Sequence, residues 1–528
     1  MREFCKPGRS VAVGTKGMVA TSNPQAALAG LDVLRAGGNA VDAAVAIAAM
    51  LAVVEPTQTG IGGDCFVLVK KNGQPPIALN GAGWAPKGVS GEALRQDGLT
   101  AIPTISVHAV TVPGAVRAWE RLLVDHGTQP FENLLRPAIE AAEFGYIVTE
   151  RLARDWARNA EKVSSTPEAK EVFLGDGQAP VVGDRRANRK LGKALRAIAN
   201  DGADAFYNGW IAEDIVQALK ARGSAVSLDD FVEYAPEYVS PISATYRGYE
   251  LWECPPNGQG IIALQMASML NAFKLGEFGA LSAERFHLLG EISRLAYTQR
   301  DSFVCDPGFH PVDVERMLSP KYINELVARV SLHQRTENLT PTRTPEHRDT
   351  VFISVVDANG TMVAFINSIF DDFGSGLVAP ASGVLLQNRG CGFVLEQGHP
   401  NEIAGRKRPM HTIIPALLTR DGEAVMSFGV TGGHFQPAGQ IQVLSNIVDY
   451  GMSVQQAIEH PRMFARGDSF ELEQTVPEEV WQGLRQRGHK PTVSVNPLGT
   501  SQAIWMDRSR GILFGGADGR RDGMAIGY

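Results

Sequence analysis

The run NAVDAAVAIAAMLAVV, residues 39–54, limits most sharply what this chain can fold into. Its core from Ala43 to Val54 is uncharged, yet too short for a bilayer, which asks for about 20 apolar residues. Apolar on nearly every side, it predicts a helix buried within a larger body. Asn39 stands where a cap is needed, and Pro56 stops the helix. Upstream, QAALAGLDVLRAG reads as another helix, with Ser22-Asn23 to cap it, Pro24 in its first turn and Gly37-Gly38 at its end. Downstream, TQTGIGGDCFVLVKKNGQPPIALNG reads as a glycine-rich loop and a strand from Cys65 to Val69. A tight turn at Lys71-Asn72-Gly73 and a second strand follow.

At 528 residues the chain is long enough for two to four units or one large fused α/β body. A net charge of −7 argues against nucleic acid or an anionic membrane surface as main partner. The N-terminal MREFCKPGRSVAVG lacks an apolar core, so no secretory signal is expected, and a cytoplasmic location follows. The five cysteines form no CxxC and the 11 histidines no HExxH, so neither a disulfide framework, a metal nor another cofactor is expected. The middle is helical: FENLLRPAIEAAEFG, ANRKLGKALRAIAND, IAEDIVQALKARG, IIALQMASMLNAF and SAERFHLLGEISRLAYTQRD carry apolar residues at three- and four-residue spacing. Segment 332–349, LHQRTENLTPTRTPEHRD, buries little and reads as a mobile surface connection. From residue 350 a compact β-then-α unit is expected, with hairpin turns at Asn359-Gly360 and Asp421-Gly422 and a helix from Gln436.

The switch from polar connection to alternating strand falls at Asp349-Thr350. Cleavage there would leave threonine as a new N-terminus, its hydroxyl beside its own α-amine. Such an amine titrates near about 7.7–8.0, so it can accept the hydroxyl proton at working pH. One residue then supplies nucleophile and base. The cut itself can come from the same hydroxyl attacking the Asp349 carbonyl.

The pattern DT-x4-VVD-x2-G, the following hairpin, GRKRP and a strand ending in Gly432-Gly433 resemble the γ-glutamyltranspeptidase family of N-terminal nucleophile hydrolases. GMVATSNPQAALAGLDVLRAGGNAVDAAVA, VTVPGAVRAW, ISATYRGYELWECPPNGQGI and GADGRRDGMAIGY extend the likeness along essentially the whole chain, in family order. The resemblance implies an αββα sandwich of the α/β class. It also implies one precursor cut into a large chain (1–349) and a small chain (350–528) that stay together as a heterodimer. Carried over by position, Thr350 is the nucleophile and Ser368 takes the place of a second threonine that bonds the nucleophile's amine. Gly432 and Gly433 fall on the oxyanion-hole glycines. Adjacent glycines between a strand end and a helix start suit that task, since two backbone N–H groups can meet a developing oxyanion.

The departures concern substrate recognition. Ala82, in NGAGWAP, stands where transpeptidases hold the glutamate carboxylate with an arginine, and Trp84 is nearby. Phe370 replaces an asparagine; Arg389 and Gly392 replace a glutamine and an aspartate; His411 and Thr412 replace paired serines. Arg389 invites an anion, either a substrate carboxylate or a structural partner in Asp371 or Asp372. With Phe370 and Trp84 narrowing the pocket, the acyl group would be short. His411 and His434 are further candidate pocket donors. The variant QNRG resembles the oxamate amidohydrolase branch of the family, which implies hydrolysis of oxamate to oxalate and ammonia in purine breakdown. The alternative is a γ-glutamyl hydrolase or transferase, or an acylase of β-lactam side chains. A nucleotide site at GIGGDC has the wrong order, helix-loop-strand, and Cys65 where a third glycine is wanted.

Overall fold

The computed structural model describes residues 8–337, 339 and 350–528. The buried helix runs from Ala40 to Val54, every residue of it covered, with Asn39 closing a capping box against Asp42. The preceding helix, Pro24–Arg35, is capped by Asn23; Ser22 instead bonds the Glu55 carboxylate. The five expected middle helices are present as Phe131–Phe144, Arg189–Asp201, Trp210–Lys220, Gly260–Leu270 and Ala283–Phe303.

Among the described residues, two seven-stranded sheets pack face to face. The first orders its strands Met524–Gly527, Met18–Thr21, Val351–Val356, Met362–Ser368, Asp64–Lys70, Ile77–Gly81 and Glu237–Val239. The second orders Ala12–Gly14, Ile512–Ala517, Ser501–Asp507, Glu423–Val430, Ala416–Arg420, Tyr249–Glu253 and Ile242–Tyr246. Phe66, Leu68, Phe352, Val356, Ile366, Leu417 and Ile504 fill the space between them. The alternate residues Val67, Val69, Ile353, Val355, Val363 and Phe365 face the other way, onto the N-terminal helices. Such strands are buried on both faces, which is why Val351–Val356 reads as nearly continuous apolar sequence. Helices Gly260–Leu270, Ala283–Phe303 and Gln436–Val448 cover the outer face of the second sheet. The layers are therefore αββα.

One expectation is overturned here. Residues 350–528 are not a self-contained unit, because in both sheets their strands pair with strands from before residue 350. The hairpin Val351–Val356/Met362–Ser368 lies in one sheet and Ala416–Arg420/Glu423–Val430 in the other. The first hairpin is flanked on both sides by strands from the first half of the chain, Met18–Thr21 and Asp64–Lys70, whereas the second meets Tyr249–Glu253 on one side and Ser501–Asp507 on the other. The start of the expected connection is held down: Arg335 N–H donates to Arg487 O at 2.8 Å and Thr336 N–H to Glu291 Oε2 at 2.6 Å. Residues 338 and 340–349, Asp349 included, lie outside the described residues.

Candidate functional site

Thr350 immediately precedes its strand, and the pairing Val351↔Asn367 sets it beside Ser368. Ser368 in turn pairs with Asp64. Three polar residues from three adjacent strands thus stand in a row, all fully buried, on the side facing the second sheet. Thr350 Oγ1 and Ser368 Oγ are 3.3 Å apart, and Thr350 N donates to Gln58 Oε1 at 3.2 Å. Gln58 is oriented by Asp372, which accepts from its Nε2 at 2.7 Å.

Arg389 opens a short helical turn, Arg389–Gly392, laid against the backbone of His108 and Ala109. Its guanidinium is sealed from solvent and donates to Ser368 Oγ and to Thr412 Oγ1, both at 3.0 Å. Its Nε–H has no partner. The structural pairing with Asp371 or Asp372 is not what forms. Asp371 faces Lys162 Nζ at 3.4 Å, and Asp372 holds Gln58 and Asn159. Burial pushes Arg389 down to about 10, against the opposing pull of Asp64. Phe370 has a left-handed backbone, φ 81°, which sends its N–H to Ser368 Oγ at 3.0 Å while its ring lies 4.7 Å from the guanidinium carbon.

Asp64 is the hub that sequence reasoning missed. Its Oδ1 accepts from Gly83 N, Gly114 N and Gln387 Nε2 at 2.9–3.0 Å, and its Oδ2 meets His411 Nε2 at 3.2 Å. The other ring nitrogen of His411 receives Ile413 N–H at 3.4 Å. Burial, together with the charge of Arg389, pushes His411 down to about 4, so at neutral pH it is an uncharged donor to Asp64. Trp84 is not brought to Phe370. It packs on Tyr234 and under Arg406, and its indole N–H reaches Asp230 O.

Gly432 and Gly433 follow the strand Glu423–Val430 with φ of 106° and 55°, a conformation that favours glycine. Across the sheets, Ser354 bonds Ser427 and Phe352 lies against Gly429. Thr350 and Thr431 are the next residues on the same faces of these two strands, and Thr431 adjoins the glycine pair. Gln259 ties the two halves of the site together. Its Nε2 donates to Thr412 O at 2.7 Å and to Gly433 O at 2.9 Å, while its Oε1 accepts from Arg300. Arg300 also reaches His434 Nδ1 at 2.8 Å. An apolar strand starting on a charged residue, GGDCFVLV, was the available signal for Asp64; Gln58 and Gln259 carried none.

Elsewhere His287, Glu291 and His489 converge on one buried point. Their atoms are engaged with the protein. The imidazoles meet each other at 2.7 Å, His287 also meets Ser331 O, and Glu291 accepts from Arg294 and Thr336 N–H. The cluster fastens residues 331–336. No helix among the described residues is long and apolar enough to cross a membrane.

Known proteins match this arrangement over its full length. The chain is 36% identical to a glutathione hydrolase-like YwrD proenzyme of Bacillus subtilis, covering 98% of this chain and 99% of the relative. It is 32% identical to an oxamate amidohydrolase proenzyme of Klebsiella pneumoniae, covering 98% and 99%. The crystal structure of a cephalosporin acylase from Bacillus halodurans superposes with a TM-score of 0.93 at 37% identity, over 100% of this chain and 99% of that one. Proenzymes that act on amide C–N bonds therefore share both the sequence and the αββα fold. With the gamma-glutamyltranspeptidase family model matching residues 26–528, the chain belongs to the γ-glutamyltranspeptidase family of N-terminal nucleophile hydrolases.

Proposed function

We propose that the chain cuts itself between Asp349 and Thr350 and then hydrolyses small linear amides whose carbonyl lies next to a carboxylate, oxamate being the simplest. In this reading residues 1–349 and 350–528 remain paired as large and small chains. Thr350 Oγ attacks the amide carbonyl while the new α-amine, held by Gln58 Oε1, takes the proton. The backbone N–H groups at Gly432 and Gly433 stabilise the tetrahedral oxyanion. The amine returns the proton to departing ammonia, and water releases the acid from the threonine ester.

The observation that carries the substrate class is the sealed guanidinium of Arg389. It has hydroxyl partners and an unpartnered Nε–H, but no carboxylate within ion-pair distance among the described residues. Burying an uncompensated charge is costly, and a substrate carboxylate would relieve it. Phe370 beneath the guanidinium and Thr412 beside it limit the anion's size. His411 acts through Asp64, which its Nε2 meets at 3.2 Å, rather than on the substrate directly.

Ammonia release from oxamate, measured against γ-glutamyl-anilide and glutaryl amides, tests this. Oxamate should be preferred, and preference for either larger acyl group rejects it. Thr350→Ala should appear as a single uncut, inactive chain on a denaturing gel; two chains would remove Thr350 from both roles. A second reading, an acylase of larger side chains, is favoured by the TM-score of 0.93 to a cephalosporin acylase, and the glutaryl amide is its probe.

A further inference from the structure

Two adjacent glycines have no side chains to hold their dihedrals, so the turn carrying Gly432 and Gly433 depends on what grips its carbonyls. Phe435 N–H donates to Gly432 O at 2.9 Å, and within that planar peptide unit this sets the direction of the Gly433 N–H. Gly433 O accepts from Gln436 N–H and, at 2.9 Å, from Gln259 Nε2, which fixes the remaining rotation of Gly433. Tyr297 O–H donates to His434 O. Gln259 is thus a grip from outside the turn that lands on the glycine pair itself.

Its amide is held in one orientation. A guanidinium only donates, and Arg300 Nη1 lies 2.9 Å from Gln259 Oε1. The carbonyl end of the amide therefore faces Arg300, and its NH2 end faces Gly433 O and Thr412 O. The same Nη1 also donates to His434 Nδ1 at 2.8 Å. That ring nitrogen presents a lone pair, so while the bond stands His434 is a neutral ring protonated at Nε2. Asp301 steadies the guanidinium in turn, its Oδ1 accepting from Nε at 2.7 Å and lying 2.6 Å from Nη2. Arg300 and Gln259 are fully buried, so bulk water does not compete for these bonds.

We propose that Arg300 is a positioning residue for the oxyanion turn, an inference that rests on the reading of Gly432 and Gly433 given above. From the helix Ala283–Phe303, one guanidinium nitrogen holds Gln259 against the Gly433 carbonyl and holds His434, the next residue of the turn, in a single tautomer.

Gln259→Met keeps the length of the side chain and removes both bonds that it donates. The pre-cut enzyme is assayed with whichever of oxamate, γ-glutamyl-anilide and the glutaryl amide the wild type hydrolyses fastest. There kcat and kcat/KM should fall together by about 10–100-fold, since the turn is loosened rather than stripped of a donor. A loss carried by KM alone would assign Gln259 to the pocket at Thr412, and no loss would make the turn independent of it; either result overturns the proposal. The tautomer is read without substrate. In wild-type protein carrying 15N-labelled histidine, the ring signal absent from His434→Asn should show a bare Nδ1 and a protonated Nε2. Arg300→Met should lose that signature. A proton on Nδ1 in the wild type, or an unaltered signature in Arg300→Met, overturns the proposal. If Arg300→Met does not fold, the wild-type spectrum and Gln259→Met still decide. Failure of oxamate, or two chains from Thr350→Ala, leaves the histidine spectrum untouched, so the readings fail separately.

Discussion

Gln58 can accept from the Thr350 nitrogen because Asp372 fixes which end of its amide faces inward. Ser368 Oγ accepts from Phe370 N–H and Arg389 and lies 3.3 Å from Thr350 Oγ1. Ser368→Ala should therefore lower kcat by about 10–100-fold, the scale of a lost charge-assisted hydrogen bond. Ser368→Thr should stay near wild type. Steady-state rates on the pre-cut enzyme check this, and equal loss in both variants would reduce Ser368 to packing. At this scale Thr350 drew attention through the local switch from connection to strand, while Ser368 and Arg389 entered only through the family resemblance. Asp64 and Gln259 were not legible. The partners that tie them to the site, His411 for Asp64 and Thr412 and Gly433 for Gln259, lie more than 150 positions away, and only strand pairing or a loop crossing brings the two ends together.

The turn from Thr431 to Gly433 shows what an element contributes beyond its residues. Gly432 combines φ of 106° with a close approach, since a Cβ there would sit 2.9 Å from the Gly499 Cα. Gly432→Ala should thus tilt the turn and lower kcat by about 10²–10³, the usual loss of an oxyanion donor. Thermal melting alongside separates a misdirected turn from an unfolded one. Element boundaries were the most legible part of the chain, because their signals are nearest neighbours. Asn39 caps a helix, Asp421-Gly422 turns a hairpin, and apolar spacing marks the long helices. Which sheet each hairpin joins was hidden. The alternation in Val351–Val356 and in Glu423–Val430 is equally compatible with one shared sheet, and the choice rests on partners far away in sequence.

For the molecule as a whole, Glu253 is a buried liability. It ends the strand Tyr249–Glu253, neither of its carboxylate oxygens has a partner, and the Gln440 Oε1 near it has none either. Burial holds its carboxyl well above the usual range. The folded state therefore keeps a proton that the unfolded chain releases near the ordinary carboxylate value. Stability is full below that value and declines as pH rises toward the folded one. Glu253→Gln supplies a permanent N–H for Gln440 and should raise Tm, with a gain larger at pH 8 than at pH 5. An equal gain at both would show that the carboxyl is not the source.

The interleaving of the two sheets also bears on inheritance and engineering. In both large sheets strands from after residue 350 pair with strands made earlier on the same ribosome, so the halves cannot trade partners without dismantling the core. Mixing two finished but crippled populations, one damaged in each half, would leave both dead. Rescue between defective alleles would have to happen during synthesis or not at all.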